Sequence, residues 1–139
     1  MTYHVELSIE CQTQQRANTI SNYFTNWIST ASRLMKEEVI AYPVKEGYWV
    51  NIFFKWDLSE PNLSYLYKAL KTAPPVYRYA LAGIEVSEFR SYSELIEDLP
   101  TLNLPGLVIS TELNKRLTEY VEFSPGYVWQ PYIIPYNLK

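Results

Sequence analysis

Apolar and polar residues alternate along the first stretch of the chain. Tyr3, Val5, Leu7, Ile9 and Cys11 share one parity, and His4, Glu6, Ser8 and Glu10 the other. A period of two with one polar side predicts a half-buried strand with a solvated polar face. From Thr13 the period changes. Ala17, Ile20, Phe24, Trp27, Ile28, Ala31 and Leu34 recur three or four apart, which predicts a helix with one apolar face. Its other side, with Asn18, Ser21, Asn22, Asn26 and Ser29, is polar but uncharged. Residues 38–44 and 48–56 predict a β-hairpin connected by Lys45-Glu46-Gly47, with Gly47 in the left-handed position. In its second arm Tyr48, Val50, Ile52, Phe54 and Trp56 share a face, and Trp49, Asn51, Phe53 and Lys55 occupy the opposite one. Ser59-Glu60-Pro61 predicts a helix start. Leu63, Leu66, Tyr67 and Leu70 continue as its stripe, and Pro74-Pro75 stops it. Residues 76–86 predict a strand buried on much of both faces, with Gly83 marking a bulge or a close backbone approach.

The order strand, helix, strand, strand, helix, strand predicts an α+β protein. Its core would be ferredoxin-like, a βαββαβ antiparallel sheet with two helices on one face, spanning residues 1–91. Residues 92–139 predict an extension packed on that core. It begins with a short helix capped by Ser91 or Ser93, holding Tyr92, Leu95, Ile96 and Leu99 and ended by Pro100. A strand–helix–strand segment follows. Leu107-Val108-Ile109 is its first strand, and Ser110 caps a helix with Leu113, Leu117, Tyr120 and Val121. After a turn at Ser124-Pro125-Gly126, Tyr127 to Tyr136 is extended, and Pro131 and Pro135 confine it to a sheet edge. No repeat, low-complexity tract or long linker divides residues 1–139, so a single domain is expected.

Composition narrows the class. A chain of 139 residues buries roughly 68–70% of its unfolded surface, enough for a core without staples. With 15 Asp+Glu against 12 Lys+Arg, the net charge of −3 does not suit a binder of nucleic-acid backbone. Cys11 is the single cysteine, so no intramolecular disulfide is available, which fits a reducing cytoplasm. The first residues carry no signal-peptide pattern, and no run approaches the roughly 20 apolar residues of a membrane span.

The chemistry is uneven. There are 13 Tyr, 5 Phe and 4 Trp, but one His, one Cys and four scattered Gly. His4 and Glu6 share a strand face and could supply two metal ligands, but no second His completes a set. Cys11 lies seven residues from His4, roughly 23 Å along an extended strand, so the two cannot form a nucleophile–base pair. No Gly-rich phosphate loop and no Gly-x-Ser-x-Gly is present. No catalytic residue, metal site or cofactor is therefore predicted.

Two clusters remain. Glu85, Glu88, Glu94, Glu97 and Asp98 gather with Arg90 as the one base among residues 85–98. They form a solvated face, an acidic patch that attracts a basic partner, or a carboxylate pair for acid–base work. Trp49 and Phe53 lie opposite the main stripe of their strand, and Tyr127, Trp129, Tyr132 and Tyr136 crowd the C-terminal segment. These aromatics are packed under the extension, fill a homodimer interface, or serve as anchors for a partner. RNA stacking is disfavoured, because basic companions and the aromatic motif of such platforms are missing.

Gly106-Leu107-Val108-Ile109-Ser110, the segment Thr111-Glu112-Leu113-Asn114-Lys115-Arg116-Leu117, then Phe123-Ser124-Pro125-Gly126-Tyr127 and a proline-broken tail form a pattern. It resembles the carboxyl-terminal part of some small bacterial immunity proteins, which neutralise the toxins of polymorphic toxin systems. The likeness covers about 30 of the 139 residues and carries no residue-by-residue correspondence. It implies a cytosolic, non-enzymatic, often acidic protein that occludes a toxin's active site. The expectation is thus a cytoplasmic protein-binding module, an immunity or inhibitor protein. Glu85, Glu88, Glu94, Glu97 and Asp98 would steer a basic toxin domain, and Trp49, Phe53, Tyr127, Trp129 and Tyr132 would anchor it. The alternative is a dimeric small-molecule-binding protein or cofactor-free enzyme with an aromatic pocket and a carboxylate–Tyr pair.

Overall fold

A computed structural model of the chain describes residues 3–30, 36–44, 46–56, 60–84, 86–99, 104–113 and 120–131. The elements are β1 (Tyr3–Glu10), α1 (Gln14–Thr30), β2 (Lys36–Val44), β3 (Gly47–Trp56), α2 (Glu60–Lys71), β4 (Tyr79–Ile84), α3 (Tyr92–Asp98), β5 (Val108–Ser110), β6 (Val121–Ser124) and β7 (Tyr127–Trp129). The protein is α+β. Its seven strands form one sheet in the order β2-β3-β1-β4-β5-β7-β6, and every neighbouring pair is antiparallel.

The period-two pattern of β1 and the helical stripes determine one side of the sheet. Val5, Leu7 and Ile9 of β1, Val50 and Ile52 of β3, and Ala80 and Ala82 of β4 are buried with Ala17, Ile20 and Phe24 of α1 and Leu66, Tyr67 and Leu70 of α2. Thr13 caps α1, its Oγ1 accepting the Arg16 N–H at 3.2 Å. Edge-on rings link the two helices: Phe24 to Trp27 at 5.9 Å and Trp27 to Tyr65 at 5.4 Å between centroids.

The C-terminal strands depart from the expected packing. β5, β7 and β6 do not lie over the sheet; they prolong it from the β4 edge. β4 and β5 pair only through Tyr79–Ile109 and Ala80–Val108. Beyond those two residues the strands separate, and the Tyr67 hydroxyl fills the gap. It accepts the Ala82 N–H at 3.1 Å and donates to the Gly106 carbonyl at 2.9 Å. A buried amide left unpaired there would carry its full desolvation cost.

Two further expectations are corrected. Residues 111–113 form a turn and Val121 opens β6, so the helix predicted from Ser110 does not reach Val121. Leu117 lies outside the described residues. The 3.6-residue spacing of Leu113, Leu117, Tyr120 and Val121 loses to the hairpin that Gly126 closes at φ 88, which pairs Val121 with Trp129. In the β2–β3 hairpin Val44 pairs with Gly47. The connection is therefore two residues, and Glu46 adopts the positive φ of 69. Gly47 is needed for space instead: a Cβ there would come within 3.0 Å of the Glu10 carboxyl carbon.

Replacing Tyr67 with Phe removes both hydroxyl bonds and should cost about 1–3 kcal/mol. Denaturant unfolding should show this as a lower midpoint with an unchanged slope. Val121, 52% exposed, should tolerate Ala within about 0.5 kcal/mol.

Candidate functional site

The second face of the sheet was expected to meet water along β1, and it does not. Glu6, Ser8 and Glu10 are buried, Glu10 to 1% exposure, together with Asn51 of β3. The cover is the segment after β4, with α3 and Leu107. Trp49, Tyr79, Leu95, Leu99, Leu107 and Ile109 form a second apolar cluster there, with Phe89 and Tyr92 at its margin. Polar groups enclosed this way must each find partners, and they do.

Glu10 sits at the end of β1. Its Oε1 takes the Arg78 Nε–H at 2.5 Å, and its Oε2 accepts the backbone N–H groups of Gln12 at 2.8 Å and Tyr48 at 3.1 Å. Gln12 needs a φ of 73 to present its amide. Arg78 donates from Nη2 to the Glu46 carbonyl at 2.9 Å, and its guanidinium lies 4.1 Å from the centroid of the Tyr92 ring. The Glu46 carboxylate in turn accepts from the Ser93 hydroxyl and, at 3.3 Å, from its amide.

Ser8 and Asn51 belong to a closed ring of hydrogen bonds. Ser8 Oγ donates to Asn51 Oδ1 at 2.5 Å, Asn51 Nδ2 donates to the Tyr42 hydroxyl, and that hydroxyl donates to Glu88 Oε2. The Glu88 N–H closes the circuit on Ser8 Oγ at 3.3 Å. Glu88 holds a left-handed φ of 52, and the ring over-determines that conformation. Burial, and next the bond to Glu88, push the Tyr42 hydroxyl above its ordinary pKa. One turn of strand away, the Ser87 hydroxyl donates to Glu6.

The proposed steering acids take different roles. Glu94 is the N3 residue of a capping box: Ser91 Oγ accepts the Glu94 N–H at 3.3 Å, and the Glu94 carboxylate accepts the Ser91 N–H at 2.9 Å. That backbone bond holds the Glu94 carboxyl below its ordinary pKa. Glu97 is exposed beside it. Asp98 Oδ2 lies 3.2 Å from Arg90 Nε, within Coulomb reach but off the line of the N–H. Glu88 is exposed but engaged by Tyr42. Glu85 lies outside the described residues.

The aromatic anchors are largely internal. Trp49, 1% exposed, meets Tyr79 and Phe89 edge-on, each at 5.6 Å. Tyr127 is buried, stacks on Tyr77 at 4.2 Å and donates to the Tyr77 carbonyl at 2.6 Å. Both leave the set of partner anchors, because neither offers surface. Phe53 and Trp129 are half-buried. They lie on opposite faces of the sheet, Phe53 beside Glu6 and Trp129 packed at 5.1 Å against Tyr67 and Phe123. One flat partner surface cannot use both. Tyr132 lies outside the described residues.

Cys11 is fully buried, and desolvation pushes its thiol well above the ordinary range. Among the described residues no group of three or more His, Cys, Asp and Glu is arranged to hold a metal ion, and no helix is long and apolar enough to cross a membrane. A cavity of about 300 Å³ opens at the end of the sheet where β1 leaves and β4 and β7 begin, bordered by Arg16, Arg78, Tyr77, Tyr127, Glu112 and Leu113.

No protein-family model, curated protein or solved structure matches the chain.

Sequence reasoning overlooked Glu10, Arg78, Tyr42 and Asn51 as one polar system. A signal was present: Trp49, Asn51 and Phe53 share a face, and a face mixing an amide with large aromatics is not that of a solvated strand.

Glu10→Gln leaves the Arg78 guanidinium without a counter-charge in a mostly buried place. It should cost about 3–5 kcal/mol of unfolding free energy, whereas an exposed Glu112→Gln should change little. A smaller effect concerns pH. The Glu94 carboxyl has a lowered folded pKa, so its contribution is present above the ordinary carboxylate range and disappears as pH falls through the folded value. Amide exchange at Ser91 and Glu94, corrected for intrinsic rates, should accelerate across that acidic window.

Proposed function

We propose that the chain is a protein-binding module, in its most concrete form an immunity or inhibitor protein, whose contact surface is the outer side of α3. The observation that carries this reading is Ile96, 40% exposed, on the same short helix as the exposed Glu94 and Glu97. An exposed apolar side chain on an acidic helix suits a basic partner. The charges speed encounter, and the apolar contact slows release. The helix is pre-organised for this by its capping box and by buried Leu95 and Leu99 beneath it. The likeness of residues 106–127 to immunity proteins makes a toxin domain the favoured partner, bound by steric and electrostatic occlusion. The single buried Cys11 suits a reducing compartment such as the cytoplasm.

The strand order β2-β3-β1-β4, with α1 and α2 on one face, supports reading residues 3–84 as a ferredoxin-like core to which β5, β7 and β6 were added. The small-molecule reading draws support from the cavity at the sheet end. A carboxylate–Tyr pair has candidates on that border, Glu112 with Tyr77, Tyr92 and Tyr127.

The test is affinity purification of the tagged chain from its host. A near-stoichiometric basic protein is expected. The E97K variant should slow association with it several-fold at low salt, and Ile96→Ala should raise the dissociation rate, both with unchanged circular dichroism. Recovery of the chain alone, or unchanged association of the charge-reversed variant, would remove this reading.

A further inference from the structure

Beyond the α3 surface, the cavity at the sheet end combines two charges of opposite sign. Arg16 is in the first turn of α1, and its guanidinium has one hydrogen bond among the described residues, to Gln12 Oε1 at 3.4 Å. Glu112 follows β5, and its carboxylate has no hydrogen bond or ion pair among the described residues; its backbone N–H is held by Ser110 Oγ at 3.3 Å. Both border the same space of about 300 Å³, yet they do not pair with each other. That volume is at the lower end of the roughly 300–1,000 Å³ of small-molecule sites. Arg78 also borders the cavity, but its charge is already matched by Glu10.

Two further facts give the cavity a direction. The first turn of α1 holds no acidic residue, so the positive helix end and the Arg16 cation add together at one side. Tyr127, on the wall, has a pKa raised first by burial and next by Cys11 and lowered by its bond to Tyr77, with Arg16 and Glu112 acting more weakly in opposite directions. Pro75, Leu113 and Tyr127 also border the cavity.

We propose that this cavity binds a free α-amino acid. The carboxylate would meet Arg16 and the α1 N-terminus, the ammonium would meet Glu112, and the side chain would lie along Leu113 and Tyr127. A ligand with one charge would satisfy one end and leave the other unmatched, so the site selects a zwitterion. The site is independent of the α3 surface and stands or falls separately from it.

The test is a titration of the full chain, labelled with ¹⁵N, with L-leucine and L-phenylalanine at millimolar concentrations. The comparison compounds are 4-methylpentanoate, which lacks the ammonium, and isopentylamine, which lacks the carboxylate. Saturable shifts are expected at the amides of Arg16, Glu112 and Leu113, with each comparison compound at least tenfold weaker. R16Q and E112Q should each weaken binding at least tenfold while leaving the rest of the spectrum in place. E94Q, on α3, should bind like the parent chain. Absence of saturable shifts with either amino acid, binding of 4-methylpentanoate or isopentylamine as tight as that of L-leucine, or unchanged binding in both charge variants would overturn the proposal.

Discussion

The structure depends on the burial of the Glu10 carboxylate. An ionised group at 1% exposure persists only when its charge is matched and its lone pairs are occupied. Arg78 matches the charge, and the amides of Gln12 and Tyr48 occupy the lone pairs. Each partner comes from a different place: the corner into α1, the start of β3 and the approach to β4. Gly47 lacks the Cβ that would collide with the carboxylate. Arg78 then reaches Glu46 and the ring of Tyr92, so the β2–β3 turn and the first residue of α3 are tied to the same charge. One side chain therefore sets the relative positions of four connections.

Tyrosine hydroxyls complete the backbone elsewhere. Tyr23 donates to the Ala69 carbonyl, Tyr67 to Gly106, Tyr79 to Arg90 and Tyr127 to Tyr77. In each case the ring packs in or against the core while its hydroxyl reaches a backbone carbonyl. This joins two requirements, dense packing and polar satisfaction, in one residue type. It also explains how a sheet with strand pairings as short as two or three residues holds together at β4, β5 and β7. Among the tyrosines of described burial, Tyr67, Tyr77, Tyr79 and Tyr127 are buried and the others half-buried.

Two surface features of the described residues differ in kind. The α3 face is acidic and carries the exposed Ile96. The cavity at the sheet end is concave and presents one charge of each sign. Tyr92 connects them: it opens α3, lies against Arg78 and borders the cavity. Through Arg78 and Tyr92, the buried Glu10–Arg78 pair lies behind both features.

Local chemistry made much of the chain legible from its residues alone. The alternation in β1, the stripes of α1 and α2, the Ser91 cap with Glu94 three residues on, and the Pro125-Gly126 turn all act over a few positions, so their signals are contiguous in sequence. The polar side of β1 was legible only as polar. Whether Glu6, Ser8 and Glu10 meet water depends on the cover laid over them by residues 86–99, and the partners that make burial tolerable, Arg78, Asn51 and Ser87, lie 43 to 81 positions away. The same holds for Trp49, whose burial is decided by Tyr79 and Phe89. At Val121 the expected helix gives way for a related reason, since edge pairing with β7 outweighs a local stripe. Period and capping are thus written in the sequence. Which polar group is enclosed, and which opposite charges come to face one cavity, was decided by tertiary structure, because electrostatic satisfaction is a property of neighbours in space.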